Sequence, residues 1–170
     1  MEKVTLFFCD IRGTFDCGNL STISDEEVER LVKNLSKLNE LNKTNYLVYT
    51  FVTTENQDTV EFIENKFKEH ASSNIALGNH IYSKDGVEVN KTTDILNYIV
   101  NIEKEYEVCE NIYYADDSDF YHYMLKEMNN FYENKYVIHS FIPKNHGLIE
   151  VNDGIEELIK KSTSKIKVKH

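Results

Sequence analysis

Short apolar runs alternate with amphipathic segments along this chain. Runs such as 4–9 and 46–53 are apolar at nearly every position, which is typical of strands buried on both faces of a sheet. The strands that this pattern predicts lie in "KVTLFFCD", "NYLVYTFVT", "NIALGNHIYS", "NIYYADD" and "KYVIHSFI", with a hairpin or edge piece around "KDGVEVN".

Between these runs, apolar residues recur at the three- and four-residue spacing of helices. Ser24 and Glu27 form a capping-box pattern at the start of the first such segment, and Val60, Ile63 and Phe67 share one face of the second. The predicted helices lie in "SDEEVERLVKNLSKLNEL", "TENQDTVEFIENKFKEH", "KTTDILNYIVNIEKEY", "SDFYHYMLKEMNNFYENK" and "DGIEELIKK".

Buried strands that alternate with amphipathic helices indicate βαβ units and a parallel sheet covered on both faces. We therefore expect an α/β fold, a three-layer sandwich with a mostly parallel Rossmann-like sheet. No internal repeat or linker composition interrupts the pattern, which predicts a single domain over residues 1–170. The basic end, residues 162–170, is expected to be a flexible tail.

Composition narrows the classes of function. The net charge of −10 argues against a protein that coats duplex nucleic acid, because phosphate backbones require a clustered basic surface. No apolar run approaches the roughly 20 residues that span a bilayer, and the N-terminus leads directly into the first strand. These features predict a cytoplasmic protein with no membrane partner.

Polar side chains follow several of the predicted strands. Asp10 ends the first strand, Thr53 the second, and Asp116 and Asp117 follow "IYYA", while Lys91 opens the helix before that last strand. Ligands of parallel α/β folds bind at the carboxyl ends of the strands. We therefore expect these side chains to meet at one edge of the sheet.

This set of groups suits phosphoryl transfer. A carboxylate such as that of Asp10 can attack phosphorus and form an acyl phosphate, which divides one difficult displacement into two easier ones. Mg²⁺ held by Asp10, a main-chain carbonyl and Asp116 would neutralise the phosphoryl oxygens. Thr53 is suited to donating a hydrogen bond to phosphate, and Lys91 to linking nucleophile and phosphate.

The order "CDIRGTF", strand-terminal Thr53, "NKTTDIL" and "IYYADDSD" resembles the four motifs of the haloacid dehalogenase-like (HAD) superfamily over residues 4–120. Most members of that superfamily are Mg²⁺-dependent phosphatases. The resemblance implies the following roles for residues of this chain: Asp10 as nucleophile, Arg12, Thr53 and Lys91 as further catalytic residues, Gly13, Thr14 and Thr54 as substrate-binding residues, and Asp10, the main-chain carbonyl of Arg12, Asp116 and Asp117 as metal ligands.

Arg12 departs from the pattern. Phosphatases of the superfamily usually carry an aspartate there, which acts as general acid and then as general base. Arginine does not deprotonate at working pH and cannot take that role. Two interpretations remain open: Arg12 binds a substrate phosphate or leaving group bidentately, or it enters the acid cluster in place of the cation and leaves a non-catalytic protein that binds a phosphorylated ligand or a protein partner.

Plainer roles compete with several of these assignments. Asp116 and Asp117 also suit helix caps, and Thr50 and Lys84 are the nearest rivals of Thr53 and Lys91. The segments before the first helix and over 71–90 are too short for a sizeable cap domain, so we expect an open site. An open site suits a bulky or macromolecular phosphorylated substrate, or a pocket completed by a second copy of the chain.

Overall fold

The computed structural model describes residues 1–11, 14, 24–53, 55–82, 90–131, 133, 135–144 and 147–150. Its strands are β1 (Lys3–Cys9), β2 (Tyr46–Thr53), β3 (Ile75–Leu77), β4 (Ile81–Tyr82), β5 (Glu107–Ala115), β6 (Val137–Lys144) and β7 (Gly147–Glu150). Its helices are α1 (Asp25–Asn42), α2 (Gln57–His70), α3 (Asn90–Glu103) and α4 (Asp119–Phe131).

The strands form one mostly parallel sheet. Their order is β3-β2-β1-β5-β6-β7, and β4 pairs with β2 beyond the end of β3. Strands β1, β2, β3, β5 and β6 are parallel, whereas β7 returns antiparallel to β6. The chain thus builds outward from β1 on one side and then, from β5, on the other, as in Rossmann-like folds.

Helices cover both faces of the sheet. On one face, α1 and α2 bury Leu35 and Phe67 against Phe7 and Tyr49. On the opposite face, α3 and α4 pack against strand residues such as Phe8, through apolar side chains that include Ile99. Because successive strand residues point to opposite faces, β1 contributes Phe7 to one layer and Phe8 to the other. The predicted three-layer α/β sandwich is confirmed.

Helix starts and inward faces follow the sequence pattern closely. Ser24 caps α1, and its hydroxyl accepts a hydrogen bond of 3.1 Å from the main-chain N of Glu27. Asn56 caps α2 in the same way, through the main-chain N of Thr59 at 2.9 Å. Such side chains satisfy main-chain donors that the first turn leaves without partners. The predicted inward residues of α2, including Phe67, are fully buried.

Two features differ from the sequence-based expectation. Strand β7 was not predicted, because four residues after a turn carry too short a pattern to distinguish a strand from a loop. The segment "NIALGNHIYS" forms two short strands, β3 and β4, instead of one.

Three predicted segments lie outside the described residues: the edge piece over 84–90, apart from Asn90, which begins α3, the helix "DGIEELIKK" and the tail at 162–170. Among the described helices, none is long and apolar enough to cross a membrane.

Candidate active site

The candidate site lies where the strand order reverses, between β1 and β5. Asp10 follows β1 and Asp116 follows β5, and the two strands are adjacent and parallel. Main-chain hydrogen bonds continue past the strand ends: the N of Asp10 donates to the O of Ala115 at 2.9 Å, and the N of Asp116 to the O of Phe141 at 3.2 Å. Two carboxylates therefore stand side by side at the crevice where open α/β sheets bind ligands.

Lys91 joins the two carboxylates. From the start of α3, its Nζ donates to Oδ1 of Asp10 at 3.1 Å and to Oδ2 of Asp116 at 2.6 Å. The side chains of Lys91, Asp10 and Asp116 are only 6%, 13% and 1% exposed, respectively. The ammonium also lies 4.7 Å from the centre of the Tyr121 ring, a cation–π distance. Lys91 is thus the cation that the acid cluster already contains among the described residues.

Burial governs how the site titrates. Desolvation raises the pKa of Asp10 to about 6, even though Lys91 and the hydroxyl of Thr14 favour its ionised form. Burial also works against the charged form of Lys91, but the two carboxylates outweigh it and raise the pKa of that ammonium. One positive charge is shared by two buried acids, so Asp10 takes up a proton in the metal-free protein more readily than an exposed aspartate does.

Thr14 orients the second oxygen of Asp10. The Thr14 hydroxyl is buried and donates to Oδ2 of Asp10 at 3.1 Å, while Oδ1 accepts from Lys91. Both oxygens of the predicted nucleophile thus have a fixed direction. The substrate binding expected of Thr14 remains a prediction.

The two threonines of β2 occupy different environments. Thr53 is buried at the carboxyl end of the strand, where its hydroxyl accepts a hydrogen bond of 3.0 Å from the main-chain N of Glu55. Thr50, its rival, lies inside the strand and donates to the hydroxyl of Tyr98 at 3.2 Å. Thr53 is therefore the threonine at the carboxyl edge of the sheet, where the candidate site lies, and Thr50 belongs to the core.

Asp117 completes a group of three acids. Asp10, Asp116 and Asp117 each offer one carboxylate oxygen, and these oxygens all lie within 4.8 Å of one another. Opposite ligands of an octahedral Mg²⁺ are about 4.2 Å apart, given bonds of about 2.1 Å. The donor set, all carboxylate oxygen with one member exposed to solvent, fits a hard cation that keeps some of its water. Partial burial raises the pKa of Asp117, and Asp116 adds to the effect.

Three residues of the site were not predicted from sequence. The Tyr114 hydroxyl donates to Oδ2 of Asp116 at 2.5 Å, the Tyr121 ring underlies Lys91, and Nε2 of His122 lies 2.9 Å from the main-chain O of Asp116. Burial lowers the pKa of His122, so the imidazole is neutral at pH 7 and donates through Nε2. Tyr114 lies two positions before Asp116, and side chains at that spacing point to the same face of a strand. This spacing could have predicted the contact between the two side chains.

Several predicted site residues lie outside the described part of the chain. These are Arg12, Gly13, Thr54 and Lys84. The interpretations of Arg12 and the roles expected of Gly13 and Thr54 therefore remain predictions from the sequence.

A second group of titratable side chains lies between α1 and α2. Asp25, Glu69 and His70 bring ligand atoms within 4.8 Å of one another, but Asp25 and Glu69 are exposed. Asp25 is already paired with His70 at 3.3 Å and with Lys66 at 3.6 Å, and these partners lower its pKa. Asp25 therefore links α1 to α2 through ion pairs at the surface, which are weak.

Comparisons of the chain with protein-family models, with curated proteins and with solved structures gave no match.

Proposed function

We propose that this protein is a HAD-like, Mg²⁺-dependent phosphohydrolase or phosphotransferase in which Asp10 is the nucleophile. The observation that carries the proposal is the placement of Asp10 at the strand switch point, with one oxygen bound by Lys91 and the other by Thr14, beside Asp116 and Asp117. A buried carboxylate in a fixed orientation, next to further acids and one ammonium, suits covalent phosphoryl transfer.

The reaction follows from the chemistry of a carboxylate nucleophile. An oxygen of Asp10 attacks phosphorus, the bond from phosphorus to the ester oxygen breaks, and the leaving oxygen takes a proton from solvent. Water then attacks the phosphorus of the acyl phosphate, which releases inorganic phosphate and restores Asp10. A hydroxyl compound in place of water would make the protein a phosphotransferase.

The acids have a second task in this proposal. Asp10, Asp116 and Asp117 would hold Mg²⁺, which when bound neutralises phosphoryl oxygens and orients them for attack. Lys91, close to Oδ1 of Asp10, offers a positive charge to the same phosphoryl group. Thr53, at the same edge of the sheet, is the candidate hydroxyl donor to phosphate.

The absence of an aspartate at position 12 bears on the choice of substrate. A leaving oxygen that receives no proton from a positioned acid departs readily only when it is a weak base, as a phenolate is. We therefore expect aryl phosphates and acyl phosphates to react faster than alkyl phosphates. The ratio of these rates should be larger than in phosphatases that carry the second aspartate.

One observation supports a second candidate function. Lys91 already lies between Asp10 and Asp116, so the acids have a counter-charge without a metal ion. In this alternative, the chain is a non-catalytic protein that binds a phosphorylated ligand or a protein partner at the same edge. The two functions differ in their need for Mg²⁺: the enzyme requires the ion for turnover, whereas the non-catalytic protein does not.

Hydrolysis of 4-nitrophenyl phosphate, measured with and without Mg²⁺, tests the proposal. We expect Mg²⁺-dependent turnover in the wild type and none in Asp10→Asn, because an amide is not a nucleophile. Glu107→Gln is the matched control, since Glu107 lies at the opposite end of β5 and pairs only loosely with Lys3 at 3.9 Å. Full activity in Asp10→Asn would show that another residue performs the chemistry, and no activity together with no Mg²⁺ binding would favour the non-catalytic alternative.

A further inference from the structure

The two oxygens of Asp116 have different partners. Oδ2 accepts hydrogen bonds from the Tyr114 hydroxyl at 2.5 Å and from Lys91 Nζ at 2.6 Å, whereas Oδ1 accepts from the main-chain N of Ser118 at 2.9 Å. A carboxylate offers about four lone-pair positions, two on each oxygen. Both lone pairs of Oδ2 therefore accept hydrogen bonds within the protein, and the one lone pair of Asp116 that accepts none of these three bonds lies on Oδ1.

Tyr114 holds this arrangement from the buried side of the site. Its side chain is fully buried in the layer between the sheet and helices α3 and α4. Its ring meets the His122 ring edge to face, with centres 5.0 Å apart, and His122 in turn donates to the main-chain O of Asp116 at 2.9 Å. The carboxylate and the peptide group of Asp116 are thus both fixed by side chains that reach no solvent.

We infer that Tyr114 is a positioning residue of the site: its hydroxyl keeps Oδ2 of Asp116 turned towards Lys91 and leaves Oδ1 as the single oxygen that Asp116 presents to a divalent cation. The first half of the inference concerns the protein alone. The second half rests on the proposed function, because it assigns an oxygen to the ion that this function requires.

Removing the hydroxyl has two separable consequences. Without it, the carboxylate is held only by Lys91 at Oδ2 and by the main-chain N of Ser118 at Oδ1, so its orientation is less restricted and the acceptor position of the ammonium is less well defined. A ligand whose orientation is no longer fixed binds metal more weakly; loss of such outer-shell partners typically costs about 10- to 100-fold in affinity. Tyr114→Phe should therefore disturb Lys91 in the metal-free protein and lower Mg²⁺ affinity about 10-fold.

The test compares Tyr114→Phe with Tyr136→Phe. Tyr136 contributes to the same apolar layer, and its hydroxyl is buried without a hydrogen-bond partner among the described residues. Both variants lose one buried hydroxyl, and only the first loses a contact with Asp116. Two readouts are needed: the ¹⁵N signal of the Lys91 ammonium without metal, and calorimetric titration with Mg²⁺ in the absence of substrate.

The expected result is a shifted or fast-exchanging Lys91 signal and about 10-fold weaker Mg²⁺ binding in Tyr114→Phe, with both quantities unchanged in Tyr136→Phe. A Lys91 signal that is identical in wild type and Tyr114→Phe overturns the inference, whatever Mg²⁺ does. A wild type that binds no Mg²⁺, but whose Lys91 signal still responds to Tyr114→Phe, contradicts the proposed function and leaves the positioning role standing.

A further measurement needs no variant. Since the Tyr114 hydroxyl and the Lys91 ammonium donate to the same oxygen, their protons should show a direct nuclear Overhauser contact in the wild-type protein. Its absence, with both proton signals observed, would also overturn the positioning role. This measurement decides the question even if Tyr114→Phe does not fold.

Discussion

Lys91 Nζ lies 2.6 Å from Oδ2 of Asp116, although the two residues are 25 positions apart and come from a helix start and a strand end. Both side chains are almost completely buried. A buried charge is tolerated when it is paired and hydrogen-bonded, and breaking such a pair by removing one partner is costly. Removing either partner should therefore destabilise the fold.

Lys91→Met should destabilise the metal-free protein at pH 8 by about 3 kcal/mol, because it leaves Asp10 and Asp116 buried without their shared cation. Lys135→Met is the control: it also removes a lysine from an ion pair, that with Glu103 at 2.8 Å, but Lys135 is 62% exposed. Exposed pairs contribute little, so this change should stay within about 0.5 kcal/mol. Chemical unfolding of the variants measures both values, and equal effects would contradict a structural role for the buried ammonium.

The raised pKa of Asp10 predicts how stability depends on pH in Mg²⁺-free buffer. With a pKa of about 6 when folded and 3.8 when unfolded, the folded protein binds more protons in this window, so Asp10 makes stability fall as pH rises from 4 to 6. The full difference is on the order of 3 kcal/mol. Asp10→Asn removes this contribution, so its stability relative to wild type should increase between pH 4 and 7. A constant difference across that range would show that Asp10 titrates normally.

Arg12→Asp separates the two interpretations of position 12. If Arg12 binds a substrate phosphate or leaving group in a working site that lacks the general acid, the aspartate should restore acid/base catalysis and raise turnover of an alkyl phosphate, whose leaving oxygen needs a proton, by about 10²-fold. If Arg12 instead acts as a cation for the acids, the change should lower the melting temperature near neutral pH without Mg²⁺, and added Mg²⁺ should recover stability without activity. A variant that gains no activity with Mg²⁺ and loses no stability without it would contradict both interpretations.

Gly78 tests the packing of the sheet edge next to β2. A Cβ atom at this position would collide with Oγ1 of Thr50 and the hydroxyl of Tyr98, which are hydrogen-bonded to each other. Gly78→Ala should therefore destabilise the protein by about 1–3 kcal/mol in chemical unfolding. Adding Tyr98→Phe removes one of the two colliding atoms and should recover part of the loss. An unchanged stability in Gly78→Ala would mean that this edge adapts freely.

The sequence predicted the positions of the strand-end acids because parallel strands share one carboxyl edge. Asp10 and Asp116 could be assigned to the same edge of the sheet from local patterns alone, since each directly follows an apolar run. Which of their oxygens is used, and by which donor, depends on side-chain packing that no local pattern encodes. Tyr114 has the sequence signature of an ordinary core strand residue, and His122 that of a core-facing helix residue.

Strand β7 shows the same limit at the level of the fold. Its four residues pair antiparallel with β6, and pairing of so short a segment is decided by the neighbouring strand more than by its own composition. The order of the parallel strands could not be predicted from the sequence either, because the apolar pattern of β5 does not indicate that β5 lies beside β1. That neighbourhood is what brings Asp116 to Asp10.

Trapping of the covalent intermediate tests the central claim most directly. The protein is incubated with acetyl phosphate or 4-nitrophenyl phosphate and Mg²⁺, reduced with borohydride, and digested for peptide mass spectrometry. An acyl phosphate is reduced to an alcohol, whereas a free carboxylate is not, so the account predicts conversion of Asp10 to homoserine in the wild type and no conversion in Asp10→Asn. Phosphate release with Asp10 unmodified, or reduction at a different carboxylate, would contradict the assignment of Asp10 as the nucleophile.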